Sequence, residues 1–419
     1  SPLPVPFAIS AIASFAVKEL GNLISVELIK GIGDFYKKTQ NKKYDVVGFS
    51  HYVWNANLSK NMASHLKATF PKTVTVFGGP QLPIDLRLQE EYVRKLAPLA
   101  DFFVEKEGET PFTNLLKALI ENNLDVKKVK ALRVKSVRTI LDDEFVRAPL
   151  EKRIMNLDEI PSPYLAGMLD EFIDNGFTPM LENNRGCPFL CSFCGEGDVY
   201  HSRVAKHSTE YLTREYDYLG EKMFRQPHHP FRDTLYFTDS NTGMYAQDIT
   251  LARHLADLQK LYAWPQRIIT STGKNAKEKI LECIDLLNGA LVMTASVQTT
   301  DAEVLMNIKR KNVSLDTLTM AAIGNGAKHK SYSEVILGLP GDSYELHMKT
   351  IADMANCHMN EISVAQLMIL PDTPMLSPEH YDRFKMKTKF RLLVKGFAKV
   401  RVGEKWLTAI EYEEKVCHP

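Results

Sequence analysis

The sequence lacks several features that mark broad classes of protein. Its 52 Lys and Arg residues nearly balance 51 Asp and Glu, so the formal net charge of +1 provides no basic surface for nucleic acid or an anionic membrane. The most apolar N-terminal stretch, residues 3–17, is interrupted by proline, lacks a basic flank and is too short to span a bilayer. We therefore expect no nucleic-acid partner and no membrane segment, with the cytoplasm as the location.

Cysteine is also scarce. Only six cysteines occur in 419 residues, without the pairing pattern of a disulfide framework, which favours a reducing compartment. Three of them stand alone in the sequence and are expected to be core or inert thiols: Cys283, Cys357 and Cys417.

The other three cysteines lie in one short stretch, at Cys187, Cys191 and Cys194, spaced C-x3-C-x2-C. Thiolates this close together are soft ligands suited to an iron–sulfur cluster or to zinc. The spacing also fits one face of a buried helix, although flanking glycine and proline leave little room for one. Zinc would need a fourth ligand, for which His201 and His207 lie downstream. An odd number of thiols argues against disulfides, and a cluster with one open iron is the favoured interpretation.

The first third of the sequence alternates short apolar strands with helices. Strands are predicted at 44–50, 73–77 and 101–104, with helices near 58–69 and 111–122. This alternation indicates a parallel, doubly wound sheet, whose ligands sit beyond the carboxyl ends of the strands. Small and aromatic residues at those ends suit a large flat ligand, although each alone is more simply a turn or core residue. These candidates are Ser50, Tyr52, Trp54, Asn55, Gly78, Gly79, Pro80, Gly108 and Glu109.

The remaining sequence predicts a second α/β domain. A charged, β-prone stretch at 126–151 leads into a proline-containing linker at 151–165. Six strand–helix repeats follow, which is the pattern of a partial (β/α)6 barrel of the TIM type, with its chemistry at the carboxyl ends of the strands. The cysteine loop follows the first strand and therefore opens onto that face. The six strands are expected near 180–182, 234–238, 267–271, 290–297, 333–337 and 362–370.

The cysteine loop, together with the preceding Glu182–Pro188 and its Phe-Cys ending, resembles the radical S-adenosylmethionine (SAM) superfamily. The resemblance implies that the three cysteines hold a [4Fe-4S] cluster whose open iron binds SAM. One electron, from a donor such as a flavodoxin or ferredoxin, then cleaves SAM to methionine and a 5′-deoxyadenosyl radical. Phe189, Leu190 and Phe193 would exclude water from the cluster.

The same resemblance implies SAM contacts at other strand ends. Thr238 and Asp239 would lie near the methionine end, and Ser296 and Gln298 would hydrogen-bond the ribose or carboxylate. Arg310 would pair with the carboxylate, although without the resemblance it is more simply a solvated charge. Backbone at Gly338 and Leu339 would approach the adenosine.

The first third resembles the cobalamin-binding domain that precedes the barrel in one radical SAM subfamily. The matching segments are 49–55, 76–80 and 108–112. No histidine has an aspartate two positions before it, so the Asp-x-His-x-x-Gly signature is missing and the resemblance implies cobalamin bound without a protein imidazole. Residues 1–20 resemble the segment after the first strand of such domains, so we expect the sequence to begin inside the domain.

The sequence therefore predicts a cobalamin-dependent radical SAM enzyme, most simply a C-methyltransferase acting on a small molecule or peptide. The expected domains are a Rossmann-like cobalamin-binding domain at 1–150, a linker at 151–165, a barrel at 166–378 and the start of a C-terminal domain at 379–419, where the sequence is expected to be truncated. A cobalamin-dependent cyclase or rearranging enzyme, a radical SAM enzyme without cobalamin, and a non-catalytic sensor are the alternatives. The absence of a second cysteine group counts against the enzyme without cobalamin.

Overall fold

A computed structural model describes residues 3–275, 277–316, 319, 331–402 and 405–417. The chain forms two compact units. The first, here called the Rossmann unit, comprises Ala8–Arg153 and Met368–Cys417. The second, the cysteine unit, comprises Ile154–Leu367 together with the residues before Ala8. The predicted domain boundaries stay predictions, although the segment expected as a separate C-terminal domain lies within the Rossmann unit.

A five-stranded sheet with strand order β1-β2-β3-β4-β5 forms the centre of the Rossmann unit. The first three strands are parallel, as predicted, and the last two form an antiparallel hairpin beside β3. The strands are β1 (Val46–Ser50), β2 (Val74–Gly78), β3 (Phe102–Val104), β4 (Val137–Leu141) and β5 (Glu144–Arg147).

Helices cover both faces of this sheet, so the doubly wound prediction is confirmed. Phe49 and Phe77 pack against one group of helices, while Val76 and Leu115 belong to the core on the opposite face. Alternate residues of β2 point to opposite faces, which is why this buried strand is mostly apolar, and its one polar side chain, Thr75, donates to the Leu99 carbonyl at 2.7 Å. The helices are α1 (Phe7–Leu20), α2 (Ile32–Asn41), α3 (Ala56–Thr69), α4 (Leu86–Leu96), α5 (Glu109–Glu121) and α6 (Val126–Ala131).

The charged stretch after α5 folds into α6 and the β4–β5 hairpin, and the charge that it buries is paired. Arg138, on β4, is fully buried, forms an ion pair with Glu105, and donates to the carbonyl oxygen of Ala148 at 2.7 Å. A buried charge is tolerated only when it is paired and hydrogen-bonded. Composition alone did not reveal this pairing.

Six parallel strands follow one another in the cysteine unit, as the repeats predicted. They form two three-stranded sheets, β10-β9-β6 and β11-β12-β13, and a parallel bridge between Ile268 and Leu291 joins the two. Within the described residues the strands do not close into a barrel. The strands are β6 (Met180–Leu181), β9 (Thr234–Phe237), β10 (Arg267–Ile269), β11 (Met293–Thr294), β12 (Ser331–Leu337) and β13 (Glu361–Gln366), with a small hairpin of β7 (Asn184–Arg185) and β8 (Ala205–Lys206) after β6.

Helices connect these strands, and side-chain caps mark where several of them begin. Ser208, Asp301 and Ser343 each accept hydrogen bonds from backbone N–H groups in the first turn of the following helix. Among the described residues, no helix has both the length and the apolar character needed to cross a bilayer. The helices are α7 (Asp170–Asp174), α8 (Thr209–Phe224), α9 (Ala246–Tyr262), α10 (Lys277–Leu286), α11 (Ala302–Asn307) and α12 (Tyr344–Asn356).

From Ile154 onward, the segment expected to be a linker is packed into the cysteine unit. Leu157 and Tyr164 are fully buried. The Tyr164 hydroxyl donates to the Met180 carbonyl at 2.6 Å and accepts from the Met180 N–H at 2.9 Å, so it supports β6 directly. The predicted linker therefore contributes a buried support for the first strand.

The last part of the Rossmann unit is a helix followed by a long antiparallel hairpin. Glu411, fully buried on this hairpin, accepts a hydrogen bond from the Leu58 N–H in the first turn of α3. A carboxylate at this position satisfies a helix N-terminus that lacks a side-chain cap of its own. The elements are α13 (Pro378–Phe384), β14 (Lys387–Val402) and β15 (Lys405–Cys417).

Replacing Leu115 by Ala should destabilise the Rossmann unit. Leu115, on α5, is fully buried against the sheet. Its truncation to Ala leaves a cavity that lowers the free energy of unfolding by about 2–5 kcal/mol. Urea unfolding monitored by circular dichroism measures the change. Leu132→Ala is the matched control because Leu132 is 56% exposed, and equal midpoints for the two variants would contradict the assigned core.

Candidate active site

The three clustered cysteines lie on the loop between β7 and β8, immediately after the first parallel strand β6. Cys187 and Cys191 are buried and Cys194 is half-buried. The stretch contains turns and no helix, so the core-helix alternative is wrong. All three thiols are free, which also excludes a disulfide among them. Burial raises the pKa of the Cys194 thiol to about 11.

A glycine makes the tight fold of this loop possible. The Gly197 N–H donates to the Cys194 carbonyl at 2.8 Å, so the chain folds back over its own cysteines. A Cβ at Gly197 would lie 2.0 Å from the carbonyl oxygen of Cys191 and 2.9 Å from that of Cys194. No side chain fits there. The sequence analysis assigned no role to Gly197, although a glycine three residues after the last cysteine of the motif was a usable signal.

Polar side chains from three other segments contact the cysteine sulfurs. Asn241, after β9, places Nδ2 3.2 Å from the Cys187 Sγ. Lys274, after β10, places Nζ 3.4 Å from the Cys191 Sγ. The Arg310 Nη1 lies 3.8 Å from the same sulfur. These segments meet because successive parallel strands end at one edge of the sheet.

Arg310 is buried, so its interpretation as a solvated charge is wrong. Its side chain is 7% exposed, donates to the Ser296 carbonyl, and donates from Nε to the Asn312 Oδ1 at 2.9 Å. Burial lowers the pKa of the guanidinium, while the neighbouring cysteines raise it. The Ser192 N–H also donates to the Ile308 carbonyl at 3.0 Å, which ties the cysteine loop to the Arg310 segment.

Asp239 holds the segment that leads into the cysteine loop. Its Oδ1 accepts from the N–H groups of Asn183 and Asn184 at 2.8 and 3.1 Å, and its Oδ2 accepts from the Asn183 Nδ2 at 2.8 Å. Burial raises the pKa of Asp239 to about 8, and these hydrogen bonds oppose that rise. Thr238 is exposed, and its hydroxyl donates to the Leu181 carbonyl at 3.3 Å. Direct SAM contacts by Thr238 and Asp239 stay predictions.

The other predicted SAM residues occupy different environments. Ser296 donates its hydroxyl to the Glu334 Oε2 at 2.8 Å. Gln298 is buried with φ +69°, an unfavourable conformation for a side chain other than glycine and one that is common at functional sites. Gly338 adopts φ +88°, which favours glycine, and Leu339 is fully buried. Their contacts with SAM also stay predictions.

Several buried polar atoms of the cysteine unit lack a partner among the described residues. The Gln298 Oε1, Asn241 Oδ1, Asn184 Oδ1 and Ser192 Oγ all belong to this group. Unsatisfied buried polar groups are rare in proteins and call for a bound molecule or water. Together with three free thiols and their N–H donors, they fit a cluster that binds a small polar ligand.

The zinc alternative finds no support in the described geometry. No three His, Cys, Asp or Glu side chains in the described residues converge on a position for one metal ion. The His201 Nδ1 lies 2.7 Å from the Asp198 Oδ1, and the His207 Nδ1 lies 3.1 Å from the Asp158 Oδ1. A [4Fe-4S] cluster does not require the three sulfurs to converge on one position, because each thiolate binds a different iron.

In the Rossmann unit, the predicted residues after β1 form an ordered turn. The Asn55 Nδ2 donates to the Ser50 carbonyl at 3.1 Å, and its Oδ1 accepts from the Tyr52 N–H at 2.8 Å. The Tyr52 and Trp54 rings stack with centroids 4.5 Å apart and planes at 18°. Trp54 is 55% exposed, so its interpretation as a core residue is wrong. The turn presents aromatic surface.

Two of the predicted glycines, near the ends of β2 and β3, leave no space for a side chain. Gly79 follows Gly78 and precedes the half-buried Pro80, and at φ +129° a Cβ on Gly79 would lie 2.6 Å from the His51 carbonyl oxygen. A Cβ on Gly108 would lie 2.6 Å from the Ile12 Cδ1, which supports the structural interpretation of that glycine. Beside it, Glu109 is buried at the start of α5.

His51, which follows β1, is buried inside the Rossmann unit. Its Nδ1 lies 2.6 Å from the Ser59 Oγ and its Nε2 lies 2.5 Å from the Tyr92 Oη. Burial lowers the pKa of the imidazole to about 3. Both ring nitrogens are thus engaged within the protein.

Gly197→Ala should abolish iron incorporation by the cysteine loop. The new methyl group would displace the backbone of Cys191 and Cys194, and the thiols would move with it. Anaerobic reconstitution followed by iron and sulfide analysis measures the loss. Gly33→Ala is the control because open space surrounds that position, and an iron content equal to wild type in Gly197→Ala would contradict the loop geometry.

The chain was compared with protein families, curated proteins and solved structures. No protein-family model matches it. It is 30% identical over 358 residues to the cobalamin-dependent radical SAM methyltransferase TokK of Streptomyces tokunonensis. It is 31% identical over 358 residues to the 2-(S-pantetheinyl)-carbapenam-3-carboxylate methyltransferase of Streptantibioticus cattleyicolor. Each alignment covers 82% of this chain and 50% of the relative, so the chain spans about half the length of these relatives.

Two solved structures share the fold. TsrM from Kitasatospora setae, with cobalamin and a [4Fe-4S] cluster bound, aligns with a TM-score of 0.65 at 14% identity, covering 89% of this chain and 74% of TsrM. The cobalamin-dependent radical SAM enzyme OxsB, with aqua-cobalamin and SAM bound, aligns with a TM-score of 0.61 at 16% identity, covering 92% of this chain and 53% of OxsB. The predicted fold class, a Rossmann-like unit followed by parallel βα repeats, is confirmed. Over 82% of its length the chain is therefore similar in sequence to cobalamin-dependent radical SAM methyltransferases, and it shares its fold with TsrM and OxsB.

Proposed function

We propose that the chain is part of a methyltransferase that moves a methyl group from SAM, by way of cobalamin, to an unactivated carbon. The observation that carries the proposal is the trio of free thiols on the loop after the first of six parallel strands. The names of the curated relatives support methyl transfer. A cobalamin-dependent cyclisation or rearrangement is the competing outcome.

The residues of the cysteine unit have separate tasks in this proposal. Cys187, Cys191 and Cys194 would hold the [4Fe-4S] cluster, which when bound would supply the electron for SAM cleavage. The buried Arg310 provides a planar cation for a carboxylate, and the unpaired Gln298 Oε1 provides an acceptor for a hydroxyl or ammonium group. Both residues are rigidly placed, which keeps a bound ligand in one orientation.

The Rossmann unit would hold cobalamin at the carboxyl end of its parallel strands. Tyr52 and Trp54 supply a stacked, exposed aromatic surface suited to a flat macrocycle. Gly79 lets β2 end against the His51 backbone, which shapes the edge of the sheet beside this aromatic pair. The engaged ring of His51 supports binding without an imidazole from this position.

Substrate, partners and location follow from the same proposal. One curated relative is named for a carbapenam carboxylate, which favours a small molecule over a peptide. Electrons would come from a flavodoxin- or ferredoxin-type donor, and neither nucleic acid nor a membrane would take part. The free thiols of the described cysteines support a reducing location such as the cytoplasm.

Replacing Cys187, Cys191 and Cys194 together by Ala should abolish product methylation. Without these thiolates no cluster forms, and SAM cannot be reductively cleaved. The measurement is anaerobic turnover of a carbapenam carboxylate with methyl-labelled SAM, reconstituted cluster, added cobalamin and a chemical reductant, following label in the product and formation of 5′-deoxyadenosine.

Cys357→Ala serves as the control, since it removes an isolated buried thiol. Undiminished methylation by the triple variant would refute the radical SAM proposal. Unlabelled but rearranged product from the wild type would instead identify a cyclase or rearranging enzyme, and turnover without added cobalamin would exclude its role.

Trp54→Ala should weaken cobalamin binding. Loss of one aromatic stacking surface costs about 0.5–1.5 kcal/mol, a roughly two- to tenfold lower affinity. Equilibrium dialysis of hydroxocobalamin measures it. Trp406→Ala is the matched control because Trp406 is 59% exposed on the β14–β15 hairpin. Equal affinity in Trp54→Ala and wild type would contradict the proposed contact.

A further inference from the structure

Two cations converge on one sulfur of the cysteine loop. The Lys274 Nζ lies 3.4 Å from the Cys191 Sγ, and the Arg310 Nη1 lies 3.8 Å from it. Lys274 also places its ammonium 4.7 Å from the centroid of the Phe189 ring, which belongs to the same loop. This cation–π contact holds the ammonium over the loop. Lys274 was not among the residues predicted from sequence.

The charge on these side chains lacks an evident counterion in the cysteine unit. Among the described residues, no carboxylate oxygen lies within ion-pair distance of the Lys274 Nζ or of the Arg310 guanidinium. Burying the Arg310 guanidinium without an anion is costly, and a neutral thiol compensates neither this charge nor that of the half-buried Lys274 ammonium. The arrangement becomes favourable when Cys191 is a thiolate bound to a negatively charged cluster.

The remaining sulfur contacts differ in charge. Cys187 receives a neutral donor, the Asn241 Nδ2 at 3.2 Å. Hydrogen bonds and charge at the sulfurs set the reduction potential of an iron–sulfur cluster. Cys194 interacts with the Glu196 backbone, and the charges of Lys274 and Glu196 act on it in opposite directions. Cys191 is the cysteine whose sulfur lies within hydrogen-bond distance of both Lys274 and Arg310.

We propose that Lys274 is a positioning residue that raises the reduction potential of the cluster through its contact with Cys191. One-electron reduction by a flavodoxin- or ferredoxin-type donor adds one negative charge to the cluster, and the ammonium stabilises that charge. Removing the ammonium makes the reduction less favourable. The inference rests on the proposed function only in requiring the cluster, and it is independent of cobalamin and of the substrate.

The test compares the reconstituted wild type with Lys274→Met, Lys274→Gln and Lys274→Arg. Midpoint potentials are measured by redox titration monitored by electron paramagnetic resonance, without SAM, cobalamin or substrate. We expect a lower potential in Lys274→Met and Lys274→Gln, and a return toward the wild-type value in Lys274→Arg. Lys279→Met, which removes an exposed lysine on α10, should leave the potential unchanged.

Two results would overturn the inference. If Lys274→Met and Lys274→Gln bind the cluster at the wild-type potential, the lysine does not tune it. If a separate SAM-binding titration of the same variants shows lost SAM affinity at an unchanged potential, Lys274 is a SAM ligand instead. A wild-type protein that incorporates no cluster would refute the proposed function itself, so the two failures are distinguishable.

Discussion

The geometry of the cysteine unit depends on how tightly the thiol-bearing loop is held against the ends of the parallel strands. The loop is so compact that its backbone occupies the space of a side chain at Gly197. Asp239 anchors its approach through three hydrogen bonds, and Ser192 anchors its middle to Ile308. Thiols on a loop fastened in this way keep their relative positions without help from a helix, which a rigid multi-iron ligand requires.

The contacts that hold the loop also determine which charged and polar side chains lie near the sulfurs. The strand ends that hold the loop carry Asn241 and Lys274, and the segment tied to Ser192 carries Arg310. Positive charge and N–H donors therefore accompany the thiols wherever the fold places them. A buried cation such as Arg310 and unsatisfied buried acceptors such as the Gln298 Oε1 are unfavourable in an isolated protein. Their occurrence together is understandable for a site that holds a negatively charged cofactor and a zwitterionic ligand.

The end of β1 in the Rossmann unit has a different chemical character. Its polar groups near β1 are satisfied internally, since His51 bonds to Ser59 and Tyr92, and Asn55 closes the turn. What it leaves exposed is the aromatic pair of Tyr52 and Trp54. Such a surface recognises shape and apolar area more than charge. The two units thus present contrasting chemistry, a charged pocket of buried donors and an exposed aromatic face, as two unlike cofactors would require.

The cysteine spacing, the alternation of strands and helices, and the count of six βα repeats could all be read from the amino-acid sequence, because they depend on local periodicity and turn residues. The fold was needed to learn that Arg310 is buried, that Lys274 and Asn241 reach the sulfurs, and that the predicted linker supports β6 through Tyr164. The contacts to the sulfurs join residues 54, 83 and 119 positions apart. No local pattern encodes such contacts, since they arise only when the carboxyl ends of parallel strands are brought to one edge.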